Sequence, residues 1–307
     1  MSACPTIDGL RLSRRQALAA CAAACASITP AAAQQRLGSV RFGISDSLTG
    51  QMNLADARAA MQVWLKRISQ DVGLTLVYPP SVFEPFAALS SALRTGNLDG
   101  FIANIFEYRQ VRGLLDPSTV IIPVQKDQLR YVLLTRAEES QKGITVLRGR
   151  KLLLLDNLYT SLAPLWLANF LEEEVHQQPD SFFASVTKKE KANHAILPVF
   201  FGQADACLVT AQAFHTLCEL NPQVALRLKP VATSPEVATM LWCFSRNAGS
   251  EELRRLTRII EGIAGTPVGR QVMTLFQCDR LAVRTAEFLQ PSLAILARAE
   301  QRKKVGS

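Results

Sequence analysis

The chain has 307 residues, of which 48% are hydrophobic, 20% charged and 7% aromatic. That balance excludes a disordered, collagen-like or membrane-embedded protein. Its 34 Lys and Arg against 26 Asp and Glu give a formal charge of +8, which invites an acidic partner: nucleic acid, anionic lipid or a small anion. The length accommodates one large domain or two α/β lobes with a core that needs no staples.

Residues Met1 to Ala33 read as an export signal. Arg11, Arg14 and Arg15 precede an Ala-rich apolar run from Ala17 to Ile28, and Pro30 with Ala31-Ala32-Ala33 closes it. A basic head, a short apolar stretch and an Ala-x-Ala end make a secretory signal, too short to span a bilayer. Ser13-Arg14-Arg15-Gln16-Ala17-Leu18 resembles a twin-arginine signal, whereas Leu18-Ala19-Ala20-Cys21 resembles a lipoprotein box with almost no apolar stretch before it. Removing the segment leaves residues 34–307; subtracting its three Arg and one Asp leaves 31 basic against 25 acidic residues, a charge of +6. Four of the seven Cys remain: Cys207, Cys218, Cys243 and Cys278. In an oxidising compartment Cys243–Cys278 and Cys207–Cys218 are the pairs to test first, beside the alternative that each is a plain core thiol. With three His and no C-x-x-C pair, no metal site and no cofactor are expected.

In chain order, Val40 to Ser45 predicts a strand, the polar run to Asn53 a turn, and Leu54, Ala57, Met61, Trp64, Leu65 and Ile68 the inner face of a helix. Leu74 to Tyr78 is a second strand, Pro85 to Thr95 a helix, and Leu98 to Ala103 a third strand feeding a helix around Tyr108. Thr119 to Arg136 holds two strand-like runs separated by polar residues, the first crossing between lobes. Lys151 to Leu155 then predicts a strand, Thr160 to Glu174 a helix, Ala192 to Phe201 a helix, and Ala204 to Val209 a strand. Leu226 to Val231 leads into the return crossing at Ala232-Thr233-Ser234-Pro235. Thr239 to Ser245 is a strand, Glu251 to Ala264 a helix, and Ala286 to Gln301 a last helix expected to pack on the first lobe. Alternating strands and helices imply mostly parallel sheets, with ligands collecting where strand ends meet between two lobes.

Several segments in order carry a resemblance: Val40-Arg41-Phe42-Gly43-Ile44, Gly96-Asn97-Leu98-Asp99-Gly100, Asn104-Ile105-Phe106-Glu107-Tyr108, Asp156-Asn157-Leu158-Tyr159-Thr160-Ser161 and Phe201-Gly202-Gln203-Ala204-Asp205-Ala206. Together they resemble the substrate-binding proteins of phosphate, phosphite and phosphonate ABC importers. The resemblance implies an α/β, two-lobed type II periplasmic binding fold: lobe 1 from 36–127 and 235–307, lobe 2 from 128–234. It also implies that the Gly-x-x-Asp-Ala helix-end and strand-start segment borders the cleft. Tyr159-Thr160-Ser161 stands where the family opens a helix with Ser-Thr-Ser and grips phosphonate oxygens. Elementary physics supports such a grip, because a helix start offers unpaired N–H donors and the positive end of its dipole; an N-cap role for Thr160 or Ser161 is the alternative. Tyr108 matches the family's first-lobe cleft Tyr, and the Ser45-Asp46 turn lies where the family places further contacts. The departures are Tyr159 for the first Ser, Leu162 where a Gly often follows, Leu48 where an aromatic hydroxyl is often seen, and Asn193-His194 in place of a His-Asp pair.

The expected ligand is therefore a small oxyanion held by Tyr159, Thr160, Ser161, Tyr108, Ser45 and Asp46. No carboxylate pair points to an ammonium-bearing ligand. The expected protein is a periplasmic monomer serving an ABC permease; a sensory binding protein that docks on a membrane receptor is the alternative. The chain has no Ser-His-Asp set, G-x-G-x-x-G, P-loop or metal cluster, and its scattered basic residues form no nucleic-acid stripe, so neither enzyme nor nucleic-acid binder is expected.

Overall fold

Short apolar runs such as Gly100–Asn104, Ala206–Thr210 and Met240–Ser245 are buried on both faces, as strands covered by helices on two sides must be. The computed structural model describes residues 40–49, 76–77, 83–126 and 128–305; the expected export signal and the helix expected over 54–68 lie outside them. The strands are β1 (Val40–Ser45), β2 (Leu76–Val77), β3 (Phe83–Glu84), β4 (Gly100–Asn104), β5 (Leu115–Val124), β6 (Tyr131–Arg136), β7 (Lys151–Leu155), β8 (Ser185–Lys189), β9 (Ala206–Thr210), β10 (Leu228–Thr233), β11 (Met240–Ser245) and β12 (Arg280–Arg284). Described helices of seven or more residues are α1 (Phe86–Arg94), α2 (Ile105–Val111), α3 (Ala163–Val175), α4 (Ala192–Phe200), α5 (Ala211–Leu220), α6 (Ser250–Gly262), α7 (Pro267–Leu275) and α8 (Gln290–Val305).

Two sheets form, ordered β12-β5-β11-β4-β1-β2, with β3 also on β1, and β10-β6-β9-β7-β8. They are mixed rather than mostly parallel. β1 runs parallel to β2, β3 and β4, and β7 parallel to β8 and β9, but β11 opposes β4 and β6 opposes β9. The reason is topological: β6 and β11 arrive from the other sheet and enter at the edge where β9 and β4 end. The two crossings, residues 125–130 and 234–239, are stitched together, with Val237 N–H donating to Leu129 O (2.9 Å) and Ser234 N–H to Tyr131 O (2.9 Å).

Side-chain alternation divides the core. On β11, Leu241 and Cys243 face a core that runs through both sheets, while Met240, Trp242 and Phe244 face a second core on the other side of the first sheet. On β9, Ala206 and Leu208 join the shared core, and Cys207 and Val209 face a third core under α4 and α5. This geometry decides the thiols. Cys243 and Cys278 lie in different cores on opposite faces of one sheet, so they cannot pair, and all four described Cys are free. Burial pushes Cys278 up to about 12 and Cys243 well above its ordinary value, which keeps both protonated.

The Gly96-to-Gly100 segment has a local cause. Gly96, at φ +70°, closes α1 in a left-handed turn, with Asn97 N–H on Ala92 O (2.8 Å). A Cβ on Gly100 would sit 2.8 Å from Cys243 O, so the close approach of β11 to β4 needs glycine. Asp99 between them accepts Arg41 N–H (2.8 Å) and the Arg41 guanidinium. In the second sheet Asp205 likewise accepts Lys151 N–H (2.9 Å). Both segments brace strand starts, at the sheet ends remote from the facing strand termini. Contrary to expectation, they do not border the cleft.

Some elements differ from the sequence reading. The run after β7 is a 3-10 turn at Leu158–Thr160 before α3 begins at Ala163, because the cap belongs to Asn157. The helices α5 and α7 and the strands β8 and β12 were not expected. Both of those strands are sheet edges, so they lack a two-sided apolar signature. The last helix, α8, packs on α3 of the second sheet as well as on α2 of the first, because its apolar residues Leu293, Ile295 and Leu296 join the core the sheets share.

Candidate functional site

Strands β1 and β4 of one sheet, and β7, β8 and β9 of the other, end toward the crossings. A cavity of 460 Å³ opens at that edge of the second sheet. Three chain segments that start helices supply its polar wall. After β7, Asn157 Oδ1 accepts Tyr159 N–H (3.0 Å). After β8, Lys191 precedes α4 with no side-chain cap on its N–H groups. After β9, Thr210 Oγ1 accepts Ala213 N–H at the start of α5 (3.2 Å). All three segments line the cavity, and each brings the positive end of a helix or helical turn to it.

The first-sheet side contributes Gln125 and Gln277. Gln277 is a non-glycine residue in the left-handed region (φ 48°), a conformation that costs of order 1–3 kcal/mol unless surroundings hold it. The Gln125 side-chain amide does so by donating to Gln277 O (3.0 Å).

The expected binding residues fall into three groups. Tyr159 lines the cavity with its ring, but its hydroxyl reaches out of the second lobe and donates to Phe276 O at the end of α7. The Tyr131 hydroxyl donates in turn to Tyr159 O (2.9 Å). Burial, with Cys278 and Asp279 adding, raises the Tyr159 phenol well above its ordinary range, so it stays protonated. Thr160 is 1% exposed and closes a capping box with Asn157, its Oγ1 accepting Asn157 N–H (2.9 Å); the same hydroxyl donates to Asn157 O (3.1 Å). Ser161 is exposed, and neither it nor Thr160 is among the residues that line the cavity.

Ser45, Asp46 and Tyr108 lie at the opposing edge of the first sheet. Ser45 is fully buried and its hydroxyl donates to Glu107 Oε1 (2.7 Å). Glu107 Oε2 accepts Asn104 N–H (3.1 Å), closing the capping box at the start of α2. Asp46 is half-buried, and Tyr108 is 4% exposed within the shared core, where burial raises its phenol. None of the three lines the cavity. Between the two groups sits Leu158, packed on the first-sheet core that holds Ile44 and Leu48.

Sequence reasoning missed the cavity's Lys191, Thr210, Gln212, Gln125 and Gln277. Thr210 before Ala211, Phe214, Leu217 and Cys218 was a legible cap-and-helix signal. Gln125 and Gln277 are far apart in sequence and carry none.

A two-lobed α/β fold, with helix starts gathered around a cavity at the crossings, defines a periplasmic-type substrate-binding protein. The chain belongs to the ABC transporter phosphonate periplasmic substrate-binding protein family, matched over residues 49–287. Among solved structures it is similar to PhnD1 from Prochlorococcus marinus in complex with methylphosphonate, with a TM-score of 0.51 and 16% identity over 85% of this chain and 98% of that one. It is also similar to XAC2383 from Xanthomonas citri bound to ATP, with a TM-score of 0.54 and 13% identity over 87% and 98% of the two chains. At these identities the likeness is one of fold. The curated protein sequences contain no match to the chain. The family is a periplasmic solute-binding component of ABC import, which places the protein's work in the periplasm.

Proposed function

We propose that the 460 Å³ cavity receives a small phosphonate-class oxyanion, which the protein carries to an ABC permease. The observation that carries this reading is the convergence of two α-helix starts, after β8 and β9, with the turn after β7, on one cavity. A helix start contributes about 0.3–1 kcal/mol toward an anion at the surface and up to ~2 when partly buried. The two α-helix starts supply at most about 4 kcal/mol, whereas micromolar affinity needs ~8. Hydrogen bonds to a charged ligand, roughly 1.5–3 kcal/mol each, cover the difference if two direct donors are present. Lys191 and Asn193 are exposed, cavity-lining side chains on the second lobe able to serve.

In this reading Tyr159 shapes the cavity with its ring, Thr160 holds the turn, Ser45 and Tyr108 support the opposing edge of the first sheet from within, and Asp46 stands on that edge. The lobes comprise residues 36–127 with 235–307, and 128–234. The protein acts as a monomer after twin-arginine export, by binding without a catalytic step. Calorimetric titration of the mature chain with methylphosphonate, phosphate and phosphite tests the reading. Saturable one-to-one heat with at least one of them is expected, and silence with all three removes the oxyanion assignment.

A further inference from the structure

The C-terminal helix α8 touches three parts of the molecule that must move relative to one another if the lobes change their angle. Near its start, Ser292, fully buried, accepts Ala238 N–H in the return crossing (2.8 Å). At its centre, Ile295 O accepts the Asn169 side-chain amide from α3 of the second lobe (3.1 Å). Toward its end, Arg302 donates to the Asn169 carbonyl oxygen, Arg298 pairs with Glu173 of α3, and Glu300 pairs through both oxygens with Arg109 of α2 in the first lobe. Asn169 is the informative residue. It is 5% exposed, and among the described residues both ends of its amide bond to α8. A buried amide left without partners is costly, so its pairing ties the orientation of α3 to the seat of α8.

Chain connectivity decides which seam gives. From β12, Thr285 and the turn Ala286–Leu289 lead directly into α8, and that turn packs on β5. With Ser292 held by the crossing as well, α8 travels with the first lobe. Any change in lobe angle therefore shears α3 along α8. We infer that α8 is a strap whose seam with α3, held by Asn169, Glu173, Arg298 and Arg302, favours the arrangement in which Tyr159 meets Phe276 O. The strap thereby sets the balance between touching and separated lobes without contacting the ligand. This rests on the two-lobed binding reading, and it is tested without ligand so that the two can fail separately.

The experiment is a distance measurement by pulsed electron resonance between spin labels at Ser118→Cys in the first lobe and Thr187→Cys in the second, both exposed positions, in a Cys218→Ser background. Two variants are compared with the parent: Asn169→Ala, which removes both amide bonds, and the milder surface pair Glu173→Gln with Arg298→Gln, which serves if the first does not fold. The parent should give one narrow distance. In a folded variant the distribution should broaden or shift, with the separated population rising about tenfold, as expected for losing one or two seam hydrogen bonds. An unchanged distribution in folded variants overturns the strap, whatever the outcome of oxyanion titrations.

Discussion

Replacing Tyr159 by Phe removes one oxygen and leaves the ring in place, so no cavity forms and the effect reports the hydroxyl alone. That hydroxyl donates to Phe276 O, joining the turn after β7 in the second lobe to the end of α7 in the first. A neutral hydrogen bond contributes about 0.5–1.5 kcal/mol net, and stranding its buried partner raises the cost toward roughly 1–3. Phe276 is 7% exposed, so a middle value of about 1–2 kcal/mol applies. For a chain of this size that lowers the unfolding midpoint by roughly 2–8 °C. Because the bond crosses between lobes, the same energy is withdrawn from the lobe-touching state. Oxyanion affinity should then fall about five- to thirtyfold, at ~1.4 kcal/mol per factor of ten. Scanning calorimetry and titration calorimetry measure the two effects. A midpoint within half a degree of the parent, with unchanged affinity, would refute the reasoning that this bond holds the lobes together.

Thr160 and Lys191 should separate cleanly. Thr160→Val deletes the capping box and should lower the unfolding midpoint by the equivalent of about 1 kcal/mol, whereas Lys191→Gln, in the cavity lining, should leave stability unchanged and weaken oxyanion binding severalfold; the reverse pattern would exchange their roles. Thiol labelling of the native mature chain should modify Cys218 first, since Cys207, Cys243 and Cys278 are buried, and all four should react after denaturation without reductant. Fewer than four would reveal a disulfide. Alkaline stability follows from the buried phenols of Tyr131 and Tyr159, both raised by burial. A raised folded value means their contribution is complete below the ordinary phenol value of about 10 and declines as pH rises beyond it. Urea midpoints should be level from neutrality to about pH 9 and then fall, less steeply in Tyr131→Phe; identical alkaline slopes would count against this origin.

The central strands were legible because burial on both faces leaves a mark in composition: Lys151 to Leu155 was read to the residue, and Met240–Ser245 to within one. Edge strands β8 and β12 have no such mark, since one side meets solvent and charged residues protect it. Within the candidate site, the importance of the turn after β7 was legible as a helix start, but Asn157 proved to be its cap and Thr160 the reciprocal partner. The bond from Tyr159 to Phe276 joins residues 117 apart, and Gln125 meets Gln277 across 152. No local pattern encodes either, because both depend on how the two sheets are set against the crossings. The bridging seat of α8 was hidden for the same reason: its apolar residues showed that a face is buried, but not that two lobes share it.

The most direct test adds a second carboxylate, beside that of Glu190, among the helix starts. Ala192 lines the cavity at the first position of α4, where an acidic residue complements the helix dipole and should preserve the fold. Ala192→Asp should therefore retain the parent's unfolding midpoint while weakening methylphosphonate or phosphate binding, whichever the parent shows, by at least about tenfold, because like charge then faces the anion at close range. Undiminished oxyanion affinity in the folded variant would contradict binding in this cavity.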